Sequence, residues 1–204
     1  DMLKTLSKSI CAGILISIGG SVFLACDRYI GAALFSVALL CICYLDYYLF
    51  TGKIGFFADH FNGTYLRELL TGLSGNLLTV FLLGLVIRYA LPSLGAAAAP
   101  VFAGKLEQNF AQTLVRSAFC GVLMYLAVAV FRDGKNPIGI LFCIPVFILS
   151  GFEHSIADMF YFGASGCTDV RAAAFLLTVV LGNTVGSLLL PLLSRIGGKN
   201  ENKP

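Results

Sequence analysis

The amino-acid sequence predicts an all-α integral membrane protein with six transmembrane helices, of which the second and the fifth are broken. Of the 204 residues, 58% are hydrophobic and only 12% are charged, against about 25% in an ordinary soluble domain. The apolar residues form six long segments, and Gly-containing elements break two of them. A soluble domain of this size could not bury so much apolar surface. We therefore expect one transmembrane domain over residues 1–204.

Each apolar segment has about the length that a bilayer requires, if breaks are counted within a span. In chain order the segments are residues 10–26, 30–48, 69–91, 110–131, 138–162 and 172–193. The second breaks at Leu49-Phe50-Thr51-Gly52, and the fifth at Gly151-Phe152-Glu153-His154-Ser155. The connections are short except residues 92–108, an Ala-, Pro- and Gly-rich stretch that we expect to be a loop.

This long connection divides the chain into two halves, approximately residues 9–91 and 109–194, with the same order of segments. Each half has an ordinary segment, then a broken one, then one with a Gly-Asn element, Gly75-Asn76 or Gly182-Asn183. Three spans per half give the halves opposite orientations in the membrane. Inverted repeats with broken helices near the midplane are common in transporters, and the breaks indicate the substrate site.

Basic residues predict the orientation. With six spans both ends share one side, which holds nine basic residues: Lys4, Lys8, Lys53, Arg67, Arg132, Lys135, Arg195, Lys199 and Lys203. The other side holds five: Arg28, Arg88, Lys105, Arg116 and Arg171. Basic residues accumulate on the cytoplasmic side of membrane proteins. We expect a multi-pass protein of the cytoplasmic (inner) membrane with both ends in the cytoplasm.

The break in the fifth segment places Glu153 and His154, with Asp158 soon after, inside an apolar stretch. Ionisable residues at membrane depth are costly and indicate a transport site. A bare anion costs on the order of 20 kcal/mol to desolvate, whereas protonating an anion with a pKa of about 3.5 at pH 7 costs about 5 kcal/mol. Histidine is the side chain best suited to exchange that proton near neutral pH.

These motifs resemble the formate/nitrite transporter family. The segment Ser150-Gly151-Phe152-Glu153-His154-Ser155-Ile156-Ala157 is similar to the family signature, and Leu49-Phe50-Thr51 is similar to the family's break in the second helix. Both Gly-Asn elements fit as well. The resemblance implies an aquaporin-like fold and a homopentamer with one pore in each protomer. It also implies small monovalent anions as substrates, namely formate, nitrite or hydrosulfide.

The resemblance implies a role for individual residues. His154 would be the central pore histidine, and Thr51 would hydrogen-bond its ring. The cytoplasmic constriction would be formed by Leu39, Leu49 and Phe50, and the periplasmic one by Phe35 and Phe147. Lys105 would lie in the vestibule, and the supporting polar network would comprise Glu153, Asp158, Asn183 and Asn76. Two residues depart from the family pattern, because Asp158 and Gly121 stand where the family usually or often has Asn.

Two mechanisms remain open for these residues. In the first, Lys105 concentrates the anion and His154 relays a proton to it; in the second, His154 stays neutral and only donates a hydrogen bond. Two structural roles also remain open. Thr51 could cap a helix, and we expect Glu153 to accept from backbone N–H groups freed at the break.

Formate is the first substrate expected, with nitrite or hydrosulfide as the alternative. A neutral-solute channel of aquaporin type would be expected to carry Asn-Pro-Ala at its breaks, and this sequence has none. A membrane anchor subunit of a redox enzyme is a more distant alternative, and it would need facing histidines to hold haem. The sequence has no phosphate loop, no Ser/His/Asp arrangement and no metal-ligand cluster, so we expect neither an enzyme nor a cofactor or metal.

Overall fold

The computed structural model describes residues 2–196, and it is helical apart from short connections within that range. The helices are α1 (Met2–Ala25), α2 (Arg28–Tyr44), α3 (Phe50–Lys53), α4 (Gly63–Ala90), α5 (Pro92–Leu106), α6 (Phe110–Arg132), α7 (Ile138–Leu149), α8 (Ser155–Ser165) and α9 (Arg171–Ile196). A 3-10 helix, Ile54–Ala58, continues α3. Within the described range, α1, α4, α6 and α9 are long and apolar enough to cross a membrane, and α2 and α7 are shorter apolar helices. The chain is a multi-pass membrane protein, and Lys199 and Lys203, which entered the predicted orientation, lie outside the described residues.

Both predicted breaks are present, but the first begins earlier than expected. Helix α2 ends at Tyr44, whereas the sequence suggested a helix to residue 48. Asp46 adopts a left-handed backbone with φ 51°, which interrupts a right-handed helix, and the Lys8 ammonium holds its carboxylate. In the second break Gly151 supplies a φ of 71°, which glycine adopts without steric cost.

The expectation of a loop over residues 92–108 was wrong, because most of it forms α5. Pro92 is the first residue of this helix, where its missing N–H costs nothing. The run from Ala96 to Ala99 follows, and alanine has the highest helix propensity. Helix α5 packs against α8, and this contact positions Lys105 in its last turn.

The second part of each broken helix packs against the other half of the chain. Helix α8 lies on α4, and the 3-10 helix lies on α9. Within each half the two long helices pack together, α1 on α4 and α6 on α9. Between the halves, α2 packs on α7. The two breaks therefore face each other in the interior.

Asn76 in α4 supplies the hydrogen bonds that the first break lacks. Its Oδ1 accepts from the Phe50 N–H at 2.9 Å, and its Nδ2 donates to the carbonyls of Tyr48 and Ser9, both at 2.9 Å. The amide is fully buried. It fastens the start of α3 to both long helices of the first half.

Asn183 in α9 makes the same set of contacts at the second break. Its Oδ1 accepts from the Ser155 N–H at 2.8 Å, and its Nδ2 donates to the carbonyls of Glu153 and Ser117 at 2.8 and 2.9 Å. Phe50 thus corresponds to Ser155, and Leu49 corresponds to His154.

The glycines that precede these asparagines allow the long helices to approach closely. A Cβ at Gly75 would lie 1.9 Å from Ser9 Oγ, and a Cβ at Gly182 would lie 2.4 Å from Ser117 Cβ. Any side chain there would push the helix away and draw the asparagine out of reach of its carbonyl partner.

We expect Gly75→Ala and Gly182→Ala to lower the stability of the detergent-solubilised protein by about 1–3 kcal/mol each, because they overpack a closed helix contact. The measurement is the thermal unfolding midpoint. Gly63→Ala is the matched control, since a Cβ at Gly63 meets nothing within 4 Å. Equal midpoints for all three variants would contradict the role assigned to the Gly-Asn elements.

Candidate functional site

Two cavities lie on either side of the breaks. The Lys53 cavity has a volume of about 200 Å³, and its lining includes Leu39, Asp46, Leu49, Lys53, Arg132 and Lys135. The Lys105 cavity has a volume of about 260 Å³, and its lining includes Arg28, Phe35, Lys105, Arg116, Phe147 and His154. Among the described residues the two cavities share no lining residue. Both contain several basic side chains, as a site for anions requires.

A thin apolar barrier separates the cavities. Helix α2 runs along both, with Phe35 in the Lys105 cavity and Leu39 in the Lys53 cavity. These residues are four apart, so about 6 Å of helix separates them. Leu49 and Phe147 complete the barrier, and all four side chains are at most 4% exposed. The structure therefore groups Leu39 and Leu49 at one cavity and Phe35 and Phe147 at the other.

His154 and Thr51 meet at this barrier. His154 directly precedes α8 and is 2% exposed, and its Nε2 lies 2.8 Å from Thr51 Oγ1 in α3. The Phe147 ring stacks on the imidazole, with the ring centres 5.7 Å apart. The Thr51 hydroxyl bonds across to the other half, and Leu49 occupies the cap position of α3. The helix-cap role considered for Thr51 is therefore wrong, and the predicted bond to the histidine is present.

The backbone determines the tautomer of His154. The Ala157 N–H can only donate, and it lies 3.2 Å from His154 Nδ1, so this nitrogen is an acceptor. A neutral ring then carries its proton on Nε2, and this N–H donates a hydrogen bond to the Thr51 hydroxyl oxygen. Adding a proton to Nδ1 would break the Ala157 bond and leave a buried N–H without an acceptor, at a cost of about 1–3 kcal/mol.

Phe50, the third residue predicted to line the cytoplasmic constriction, lies beside Leu49 in the first turn of α3. Its side chain packs with Ile54 and Leu69, and within the described range it lines neither cavity. Successive residues of a helix point about 100° apart. Leu49 faces the cavity at the start of α3, so the neighbouring Phe50 turns towards α4.

Lys105 does not stand free in the cavity, as an anion-attracting lysine would. Its ammonium contacts the Glu153 carboxylate and lies 2.9 Å from Asp158 Oδ1. Gln108 Nε2 donates to the other Glu153 oxygen at 2.6 Å. Glu153 therefore binds two side chains, and the expectation that it accepts from freed backbone N–H groups was wrong, because Asn183 accepts from Ser155 instead.

Gly121 has a packing reason for its lack of a side chain. A Cβ at this position would lie 2.3 Å from the Asn183 carbonyl oxygen. Helix α6 thus contacts α9 at a point where only glycine fits, next to the residue that holds the second break.

Most of the basic residues that line the cavities were not among the predicted site residues. Arg28 and Arg116 line the Lys105 cavity, and Arg132 and Lys135 line the Lys53 cavity. All four occur at or near segment ends, and there a basic residue is also expected to lie simply at the membrane surface.

Asp46 is the acidic residue of the Lys53 cavity. The Lys8 ammonium contacts the Asp46 carboxylate, and Lys53 Nζ lies 3.5 Å from Asp46 Oδ1. The negative charge of Asp46 therefore partly offsets the positive charge of the three basic side chains in this cavity.

Within residues 2–196, no three His, Cys, Asp or Glu side chains form a metal-binding group.

Similarity to known proteins extends over almost the whole chain. Residues 1–196 match the family model described as formate/nitrite transporter. A curated relative, the "uncharacterized transporter YwcJ" of Bacillus subtilis (strain 168), is 27% identical over 92% of this chain and 86% of its own length. A solved structure titled "FNT family ion channel" has a TM-score of 0.82 and 22% identity, with coverage of 97% of this chain and 89% of that one. The structure titled "pentameric formate channel with formate bound" has a TM-score of 0.70 and 23% identity, and 96% of each chain is covered.

We expect His154 to be a neutral imidazole protonated on Nε2 at pH 7, because the Ala157 N–H occupies Nδ1. Nitrogen-15 NMR of the ring distinguishes the tautomers. A His60→Gln background leaves His154 as the only histidine, since the chain has two. Signals from two protonated ring nitrogens at pH 7 would contradict the assigned tautomer.

Proposed function

Because the chain belongs to the formate/nitrite transporter family, we propose that it is a channel for small monovalent anions, with formate as its first substrate. The relation to that family makes it a membrane transporter of anions, and the family is not one of enzymes. One neighbour in fold is named as a formate channel with formate bound, which supports formate over nitrite and hydrosulfide.

The His154–Thr51 pair is the observation that carries this proposal. It joins the two breaks at 2.8 Å, in the layer that separates two cavities with basic linings. A polar pair at this depth is expected to serve transport, because a purely structural contact could be apolar at lower cost.

Passage of the anion follows from the charges and the barrier. The basic side chains of either cavity other than Lys105 attract an anion from water. The apolar barrier opposes the passage of a bare charge, because full desolvation of an anion costs on the order of 20 kcal/mol. Desolvation of the neutral acid costs far less. We therefore propose that passage at His154 is linked to a proton, and that the Thr51–His154 pair offers its hydrogen bonds to the substrate in the barrier.

The architecture proposed is six membrane spans in two inverted halves. The equivalent bonds of Asn76 and Asn183 support it, as does the exchange of half-helices between the halves. With basic residues concentrated near both ends, the Lys53 cavity would open to the cytoplasm and the Lys105 cavity to the periplasm of an inner membrane. The neighbour titled as a pentameric formate channel supports a homopentamer with one path in each protomer.

Influx of labelled formate into proteoliposomes tests the proposed function. We expect wild-type protein to conduct formate, and His154→Phe to reduce influx to the rate of empty liposomes, because the substrate loses its polar partner in the barrier. His60→Phe is the matched control, since His60 is exposed and lines neither cavity among the described residues.

The substrate assignment is tested by labelled nitrite and by sulfide in the same assay. If nitrite or sulfide enters faster than formate, that ion replaces formate as the first substrate. Influx that His154→Phe leaves unchanged would contradict passage at this histidine, and absence of flux of all three would contradict the proposed function.

A further inference from the structure

We propose that Asp158 is a proton-binding site of the Lys105 cavity, and that anion occupancy of the cavity and proton occupancy of Asp158 favour each other. This inference rests on the proposed function for its anion, whereas the proton site itself rests on the geometry of the cluster formed by Lys105, Glu153 and Asp158.

The cluster contains one cation and two acids. Lys105 from α5 contacts both carboxyl groups, and the Glu153 and Asp158 side chains are 3% and 2% exposed. With both acids ionised the buried cluster would carry a net charge of −1, and with one proton it would be neutral. Two carboxylates that share one site do not readily ionise together.

The hydrogen bonds indicate which acid holds the proton. Both oxygens of Glu153 have a donor, the Lys105 ammonium on one and Gln108 Nε2 on the other, as suits a carboxylate. Asp158 Oδ2 is buried, and no hydrogen-bond partner reaches it within residues 2–196. A buried carboxylate charge is costly, and a proton on Oδ2 replaces that charge with a neutral hydroxyl at a lower cost.

The charges that act on Asp158 are those of Lys105 and Glu153. Arg28 and Arg116 line the same cavity, but among the described residues Lys105 is the basic side chain that reaches the Asp158 carboxyl group. Its titratable neighbours are Cys120 of α6 and Tyr161 of α8, with the His154 ring at the start of the same helix.

The other helices packed on α8 present no charge at this turn within the described range. Helix α9 presents the Asn183 amide, and α1 presents Gly20 and Phe23 to the middle of α8. Arg88 of α4 lies at the far end of α8, beside Gly166. Among the described residues, the number of protons that Asp158 and Glu153 bind therefore depends on the three charged groups of the cluster.

The consequence for an anion is electrostatic. Asp158 lines the same cavity as Lys105 and His154, so an anion there meets a neutral cluster when Asp158 is protonated and a negative one when it is not. Coupling is reciprocal, so a bound anion also strengthens proton binding at Asp158. Affinity for the anion is then highest at low pH and falls as the pH rises through the titration of Asp158.

Asp158→Asn tests the coupling because asparagine has the shape of the protonated acid and cannot titrate. Formate influx is compared at pH 5 to 9, with the same pH on both sides of the membrane. The ratio of variant to wild type cancels the titration of formate itself. We expect a ratio near one at the pH values where the wild type holds the proton on Asp158, and a rise of about fivefold or more above the pH at which Asp158 loses it. Asp169→Asn is the control and should keep a constant ratio, because Asp169 follows α8 and pairs with Arg171.

Infrared spectroscopy tests the proton site without transport. The carbonyl stretch of a protonated carboxyl should be present in the wild type at pH 7 and absent in Asp158→Asn. It should also be absent in Glu153→Gln, where one acid and one cation remain and Asp158 ionises. If Asp158→Asn does not fold, this second variant still tests whether the protonated carboxyl belongs to the cluster.

A flux ratio that stays constant or falls as the pH rises overturns the coupling. A wild-type spectrum without the protonated band, or a band that survives both substitutions, overturns the proton site. A wild type that conducts no formate but shows the band overturns the proposed function and leaves the proton site standing, so the two failures are distinguishable.

Discussion

The side-chain amides of Asn76 and Asn183 are the contacts on which the rest of the structure depends. A broken helix exposes backbone N–H and carbonyl groups, and in a membrane interior no water is available to satisfy them. Each amide accepts from the first N–H of a half-helix and donates to two carbonyls. The breaks can exist at this depth because these amides replace water, and Gly75 and Gly182 let the amides reach their partners.

The functional geometry follows from those two anchors. Because the anchors are equivalent, Leu49 and His154 occupy equivalent places at the starts of α3 and α8. One half thus contributes an apolar residue to the centre, and the other contributes an imidazole. Thr51, the second residue of the first half-helix, bonds to that imidazole across the interface between the halves. The barrier is therefore asymmetric, with a polar pair between apolar side chains.

The charged cluster of the Lys105 cavity depends on the same frame. Asn183 holds the Glu153 carbonyl, which turns the Glu153 side chain towards α5, and Lys105 meets it there from the last turn of that helix. Asp158 follows one turn after His154 and reaches the same ammonium. Asp158 therefore adds an acidic group to the lining of this cavity.

Sequence reasoning located the breaks, the Gly-Asn elements and the Thr51–His154 pair, because each rests on a local motif that resembles the family. The family match over residues 1–196 confirms that resemblance. The packing of Phe50 towards α4 could not be predicted, because the rotation of a four-residue helix depends on tertiary contacts, which no periodicity in so short a segment reveals.

Contacts between distant segments were also beyond the sequence. Lys105 meets Asp158 only because residues 92–106 form a helix on α8, and the Ala-rich composition was mistaken for a loop. Arg28 and Arg116 resemble ordinary surface charges, since only the packed structure brings them to one cavity.

Side-specific labelling tests most directly the central claim that the two cavities open on opposite faces and meet at His154. In a background with the native cysteines replaced, Gly104→Cys probes the Lys105 cavity and Lys53→Cys probes the Lys53 cavity. A membrane-impermeant thiol reagent should label Gly104→Cys from one face only and Lys53→Cys from the other face only. Labelling of both positions from the same face would contradict the account.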